Sequence, residues 1–133
     1  MSAVLDTHVW VWWLTPRSAL PPAEREALDA KAERQELFLA AISLWEAQVL
    51  HARGRLDLPV PFAEWLARAT DDRMISVLPL DVEVVLALDA LPGTFHGDPA
   101  DRLIVATARA HAMPLATHDS TIRKSRVVRL WKP

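Results

Sequence analysis

Residues 3–14 read AVLDTHVWVWWL: three apolar residues, an acid, and then an apolar stretch of helical length. Ala3 to Leu5 is too short and too uniformly apolar for a strand with one wet face, and fits one buried on both sides of a parallel sheet. Asp6 closes it, and Thr7 to Leu14 continues as a helix. The same unit recurs along the chain. Strands are expected at Ala3–Leu5, Leu37–Ala41, Ile75–Leu78, Leu115–Thr117 and Val127–Leu130. Helical patterns fill Thr7–Leu14, Pro22–Arg34, Ser43–Arg53, Pro61–Arg73, Asp81–Ala90 and Asp98–Ala112. Such alternation predicts an α/β domain with a mainly parallel, five-stranded sheet flanked by helices on both faces. Gly54 suits the end of the third helix, and LDLPVP (56–61) and LPGTFHGDP (91–99) read as loops.

Composition narrows the classes. A chain of 133 residues holds one domain, residues 1–133, and its 51% apolar and 24% charged content is that of a globular protein. With no cysteine, thiolate metal sites, disulfides and cysteine nucleophiles are excluded, so a metal must be held by oxygen or imidazole. No apolar run is long enough to span a membrane and no basic segment precedes Val9–Leu14 as in a signal peptide, so a cytoplasmic protein is expected. The net charge of −2 selects no partner. Its distribution says more: no carboxylate side chain follows Asp119, whereas Arg123, Lys124, Arg126, Arg129 and Lys132 crowd the end. That cluster is either a solvated tail or a phosphate guide beside an acidic site.

Ligands of open parallel sheets bind beyond the carboxyl ends of the strands. Asp6 leaves the first strand there, and Asp119 follows PLATH at the end of another. In AAISLWEA (40–47), Ser43 and Glu46 have the spacing of a capping box, which also sets Glu46 in the first turn of a helix at the same edge. In HGDPADRLIVATARA (96–110), Asp98 is suited to cap a helix, Pro99 to its first position, and Asp101 to its first turn. Two strand-end and two first-turn carboxylates therefore share one edge. Among the histidines, His8, His51 and His111 fall in helical patterns where packing is expected, while His96 and His118 border the edge in loops.

Five stretches, VLDTHVWVWWL (4–14), AISLWEAQVLHARGRL (41–56), LPLDVEVVLALDALP (78–92), HGDPADRLIVATARAHAMPLATHD (96–119) and VVRLW (127–131), resemble in order and separation the PIN-domain nucleases that act as VapC-like toxins of toxin–antitoxin pairs. The resemblance implies a PIN-like fold and an endoribonuclease dependent on Mg²⁺ or Mn²⁺, with structured RNA such as tRNA or ribosomal RNA as target. It implies a cognate antitoxin whose basic side chain reaches the carboxylates, and a homodimer. Asp6, Glu46, Asp101 and Asp119 match the family's acids. Asp6 and Asp101 would contact metal directly, Glu46 would hold or activate the attacking water, and Asp119 would face a second or weaker metal. Asp98 remains the helix cap with an outer role, and Thr7, Ser43 and Thr117 would support the carboxylates.

Clustered carboxylates repel, and hard Mg²⁺ or Mn²⁺ is the natural compensation and a generator of nucleophilic water. Two positions depart from the family pattern, Gly97 where an arginine is expected and Leu50 where a lysine often stands. Arg102 and Arg53 could replace those charges, and Arg123, Lys124, His96 and His118 are further candidates for touching substrate. The segment HVWVWWL (8–14), apolar on nearly every side, predicts an exposed patch that another chain covers. Two other readings stand beside this one. A catalytically weak PIN-like module that binds RNA or protein would explain the missing cations, and a phosphotransfer domain with Asp6 as nucleophile would require a second Asp where His8 stands.

Overall fold

A computed structural model describes residues 1–95 and 97–133, so that His96 lies outside the described residues. Along the chain run β1 (Ala3–Leu5), α1 (Thr7–Leu14), α2 (Pro22–Glu33), β2 (Leu37–Ala40), α3 (Ile42–Ala52), α4 (Phe62–Ala69), β3 (Ser76–Leu78), α5 (Val82–Asp89), α6 (Pro99–Ala110), β4 (Leu115–Ala116) and α7 (Ser120–Ser125). The strands form one sheet in the order β3-β2-β1-β4, with every pairing parallel. Val4 faces Phe38 on one side and Leu115 on the other, which puts β1 at the centre.

The period of two along the strands divides the core. Leu5, Leu37, Leu39 and Ala116 face a layer built from Val9, Trp10 and Trp13 of α1, Leu28 of α2, and Trp65 of α4. Val4, Ala40 and Leu115 face the opposite layer, with Ile104, Val105 and Ala108 of α6 and Ile122 of α7. The helices linking β1 to β2 and β2 to β3 thus cover one face, and those linking β3 to β4 cover the other. Strand order reverses between β1 and β4. In an open parallel sheet that reversal opens a crevice at the carboxyl ends, immediately before Asp6.

Several boundaries differ from those expected. The fifth strand shrinks to a single parallel bridge between Leu130 and Leu115. Arg126 adopts a left-handed φ of 58°, which turns the chain sharply, and the two-residue β4 offers too little edge to pair with more. The fourth helix stops at Ala69 instead of reaching Arg73. There the Thr70 hydroxyl donates back to the Leu66 carbonyl, and Asp71 accepts the Arg73 backbone N–H in a turn that competes with the helix. The third helix ends as expected: Gly54, at φ 68°, donates to His51 and Arg55 to Leu50, the paired bonds of a Schellman cap.

The segment 8–14 does not form the expected exposed patch. Trp10 and Trp13 are buried, their indole N–H groups donating to the Ala69 carbonyl and to Asp29, and Trp12 is partly covered. The exposed apolar residues cluster instead on α5 and just before it, with Val82 at 71% exposure, Leu86 at 58%, Leu80 at 53% and Val85 at 49%, while Trp45 and Met1 are exposed singly. No helix among the described residues is long and apolar enough to cross a membrane.

Candidate active site

At the carboxyl edge Asp6, Glu46, Asp98, Asp101 and Asp119 line one cavity of about 280 Å³ together with His8, Trp12 and His118. Each acid arrives by a different local route. Asp6 is carried there by β1 and is buried; one carboxylate oxygen accepts the Thr7 backbone N–H at 2.8 Å and the other the Thr117 hydroxyl at 2.7 Å. Asp119 caps α7 by accepting the Ile122 N–H at 2.9 Å, and its own N–H donates to the Thr117 hydroxyl. Thr117 therefore ties the two strand-end acids together. Asp98 is the N-cap of α6, accepting the Asp101 N–H at 2.8 Å, and so leaves the Asp101 carboxylate in the first turn facing the cavity.

Glu46 reaches the cavity as expected, but from the second turn of α3 instead of the first, and for a different reason. The capping box does not form: α3 begins one residue earlier, after Ala41, with no side-chain cap, and Ser43 is a buried helical residue. The Thr7 hydroxyl donates to Glu46 at 2.6 Å and lies 2.7 Å from the Ser43 hydroxyl. Thr7 has one proton and gives it to the carboxylate, so Ser43 must donate to Thr7. This relay from Ser43 through Thr7 fixes Glu46 against β1.

The electrostatics follow from crowding. Burial pushes the Asp6 carboxyl above its ordinary value, against hydrogen bonds from Thr117 and Thr7 that lower it. Glu46 is raised by burial, then by the charges of Asp6 and Asp98, with Thr7 opposing. Asp101 is pushed up to about 7, first by burial and then by Asp98, Asp6, Asp119 and Glu46. Among the described residues nothing donates to its carboxylate.

The donor set fits a hard divalent cation. Carboxylate oxygens are the preferred ligands of Mg²⁺ and Mn²⁺, and the accumulated negative charge favours any cation placed there. No three His, Asp or Glu side chains among the described residues are already closed into a cage.

The candidate cations do not join the acids. Arg53 caps the far end of α3, seven residues and about 10 Å along the axis from Glu46. Arg102 donates to the Phe95 carbonyl and lines the groove between α5 and α6, so it does not replace a charge at position 97. Arg123 is held by the Thr117 carbonyl, and Lys124 is exposed on α7 outside the cavity. His118 lines the cavity and pairs with Glu24 of α2 at 2.7 Å. Packing accounts for Gly97: a Cβ there would lie 2.7 Å from the buried Phe95 ring and 3.3 Å from the Asp101 Cβ.

Two lining residues escaped the sequence reading. His8, expected to pack, is exposed and points into the cavity, and Trp12 is one turn further along α1. The first-turn argument that found Asp101 applies equally to His8, and a spacing of four places Trp12 on the same helix face.

The class is a small α/β domain with an acidic cavity at its topological switch point, and a family model for the PIN domain matches residues 3–127. The chain belongs to the PIN-domain family. It is 36% identical over 126 residues, 94% of this chain and 92% of the relative, to Ribonuclease VapC22 of Mycobacterium tuberculosis (strain ATCC 25618 / H37Rv). Two solved structures share the fold. The crystal structure of VapBC2 from Rickettsia felis bound to a DNA fragment from their promoter gives a TM-score of 0.71 at 17% identity over 98% of both chains. FitAB bound to an IR36 DNA fragment gives 0.72 at 24% identity, over 97% of this chain and 93% of that one.

Proposed function

We propose that this protein is a metal-dependent endoribonuclease and the toxin of a toxin–antitoxin pair, and that it hydrolyses phosphodiester bonds in the acidic cavity. The convergence of Asp6, Glu46, Asp101 and Asp119 from four separate segments onto that cavity carries the reading, and similarity to a relative named as a ribonuclease supports it. A binding module has no use for a buried carboxylate beside three others. Of its two supports, the missing charges at positions 97 and 50, the first has a packing cause instead.

Asp6 and Asp101 would hold Mg²⁺ or Mn²⁺, with Glu46 and Asp119 completing the acidic ring. When bound, such a cation offsets the carboxylate repulsion, polarises the phosphodiester and makes water a competent nucleophile near neutral pH. Glu46, oriented by Thr7, is placed to accept a proton from the attacking water. Thr117 holds Asp6 and the Asp119 backbone in fixed relation. His118, which lines the cavity and is steadied by Glu24, would be the candidate to meet substrate or leaving group.

The toxin reading further assigns a cognate antitoxin and a second copy of the chain as partners, acting with it in the cytoplasm. The apolar surface of Val82, Val85 and Leu86 on α5 supports protein contact. Replacing Val82 and Leu86 with Asp should leave a folded chain with reduced assembly in sedimentation. The test of activity is incubation of a mixed tRNA and single-stranded RNA pool with Mg²⁺ or Mn²⁺, using wild type and Asp101→Asn purified in parallel. Discrete products lost with EDTA and in the variant support the reading. Equal cleavage by both, or none by antitoxin-free protein, overturns it.

A further inference from the structure

Resting on the ribonuclease reading, we infer that Trp12 is a stacking platform for an unpaired nucleobase beside the bond to be cut, and so a specificity-determining residue. The cavity wall makes some such device necessary. Phosphate backbones are ordinarily held by Lys and Arg, yet neither lines this cavity: apart from the five acids, its described lining is His8, Trp12 and His118, all aromatic. Contacts to a base, whose face carries no charge, avoid the repulsion that the acids impose on phosphate.

The two imidazoles flank the Trp12 ring at steep angles. The Trp12 centroid lies 5.8 Å from that of His118 at an interplanar angle of 52°, and 6.1 Å from that of His8 at 61°. The Trp12 carbonyl accepts from Ser18 at 2.7 Å and from Arg25 at 3.0 Å, and the indole is partly buried against the core. His118 is held by Glu24. A preorganised ring loses little freedom when a base stacks on it.

The indole N–H groups separate this tryptophan from its neighbours. Those of Trp10 and Trp13 are spent on Ala69 and Asp29. That of Trp12 donates to none of the described residues, and remains available to a base or ribose oxygen. A base inside a duplex has no open face, so the platform selects nucleotides that are single-stranded or splayed from a loop.

The test uses Asp101→Asn protein with Mg²⁺ and a single-stranded oligoribonucleotide carrying 2-aminopurine. Trp12→Leu keeps apolar volume but removes the aromatic face, and Trp12→Phe keeps it. Trp12→Leu should weaken binding about tenfold and abolish 2-aminopurine quenching, Trp12→Phe should retain most of both, and the same strand in a duplex should be insensitive to either. Trp45→Leu, at an exposed indole outside the cavity, should change nothing. Equal quenching in Trp12→Leu and Trp12→Phe overturns the platform. Cleavage-competent wild type whose KM is unmoved by Trp12→Leu overturns it while leaving the nuclease intact. Trp12-dependent quenching in a protein that cleaves no RNA overturns the nuclease reading and leaves the platform standing.

Discussion

The two ends of the sheet treat charge in opposite ways. At the amino end, Lys31, Arg34 and Arg129 line a cleft of about 420 Å³, and each has its partner: Lys31 donates to the Met1 carbonyl, Arg34 pairs with Glu36, and Arg129 donates to the Ala112 carbonyl. At the carboxyl end, five acids share a smaller cavity without a lysine or arginine in its described lining, and three of them are raised above their ordinary range. At the first end three of the four lining cations are satisfied within the protein, and the fourth, Lys132, is exposed to solvent. The second end is arranged for something the protein lacks, and that imbalance distinguishes a functional site from a structural one.

The strongest way to break this comparison is to remove one charge from the strained end. Asp101→Asn should reduce RNA cleavage by more than the roughly 100-fold that losing an outer-sphere partner costs at a metal site. The same variant should melt higher than wild type at pH 8 without metal, because one repelling charge has gone. Next comes the relay. Thr7→Val should lower kcat by roughly 10- to 100-fold by releasing Glu46, and should cost about 1–3 kcal/mol in denaturant unfolding by leaving the buried Ser43 hydroxyl without its acceptor. Adding Ser43→Ala should recover the stability and not the activity.

Gly97→Ala probes the packing beside Asp101, and should destabilise by about 1–3 kcal/mol as Phe95 is displaced. Acid should do reversibly what Asp101→Asn does permanently. The folded protein holds the Asp101 proton up to about pH 7, whereas the unfolded chain releases it near 3.8. Between those values the folded state binds more protons, so this group's contribution to stability falls as pH rises through the window and levels above it. Melting of metal-free protein from pH 5.5 to 8 should show that decline, and saturating Mg²⁺ should flatten it. The smallest effect belongs to the amino end, where Arg34→Ala at an exposed pair should leave the melting temperature essentially unchanged.

Much of this architecture was legible because strand-end acids announce themselves. A short apolar run closed by an acid and followed by a helical pattern reads as a buried strand whose carboxyl end faces the crevice, and Asp6 and Asp119 stand there. Glu46 was found by a spacing whose usual cause is absent: the capping-box pattern and the Ser43–Thr7–Glu46 relay require the same two residues on α3, and only the position of β1 distinguishes them. The face of α1 could not be read, since VWVWW has no polar side to turn outward. Burial of Trp10 and Trp13 depends on α2 and α4, which lie far away in sequence. On α5, VEVVLALD likewise hides its orientation, and Val82 and Leu86 emerge as exposed only once α6 has taken the inner face. The helix α7 did carry a signal, Asp119 three residues before Ile122, but six residues are too few for a periodic pattern.

The carboxyl-edge acids act as a nuclease centre only if they form one metal site. A ¹³C titration of the Asp101 side-chain carboxyl with and without Mg²⁺ tests it most directly. The account predicts a midpoint near 7 in the metal-free protein, and a displacement well into the acid range when Mg²⁺ is present. An ordinary carboxylate midpoint in both samples would mean that the acids neither repel one another strongly nor share a cation, and would contradict it.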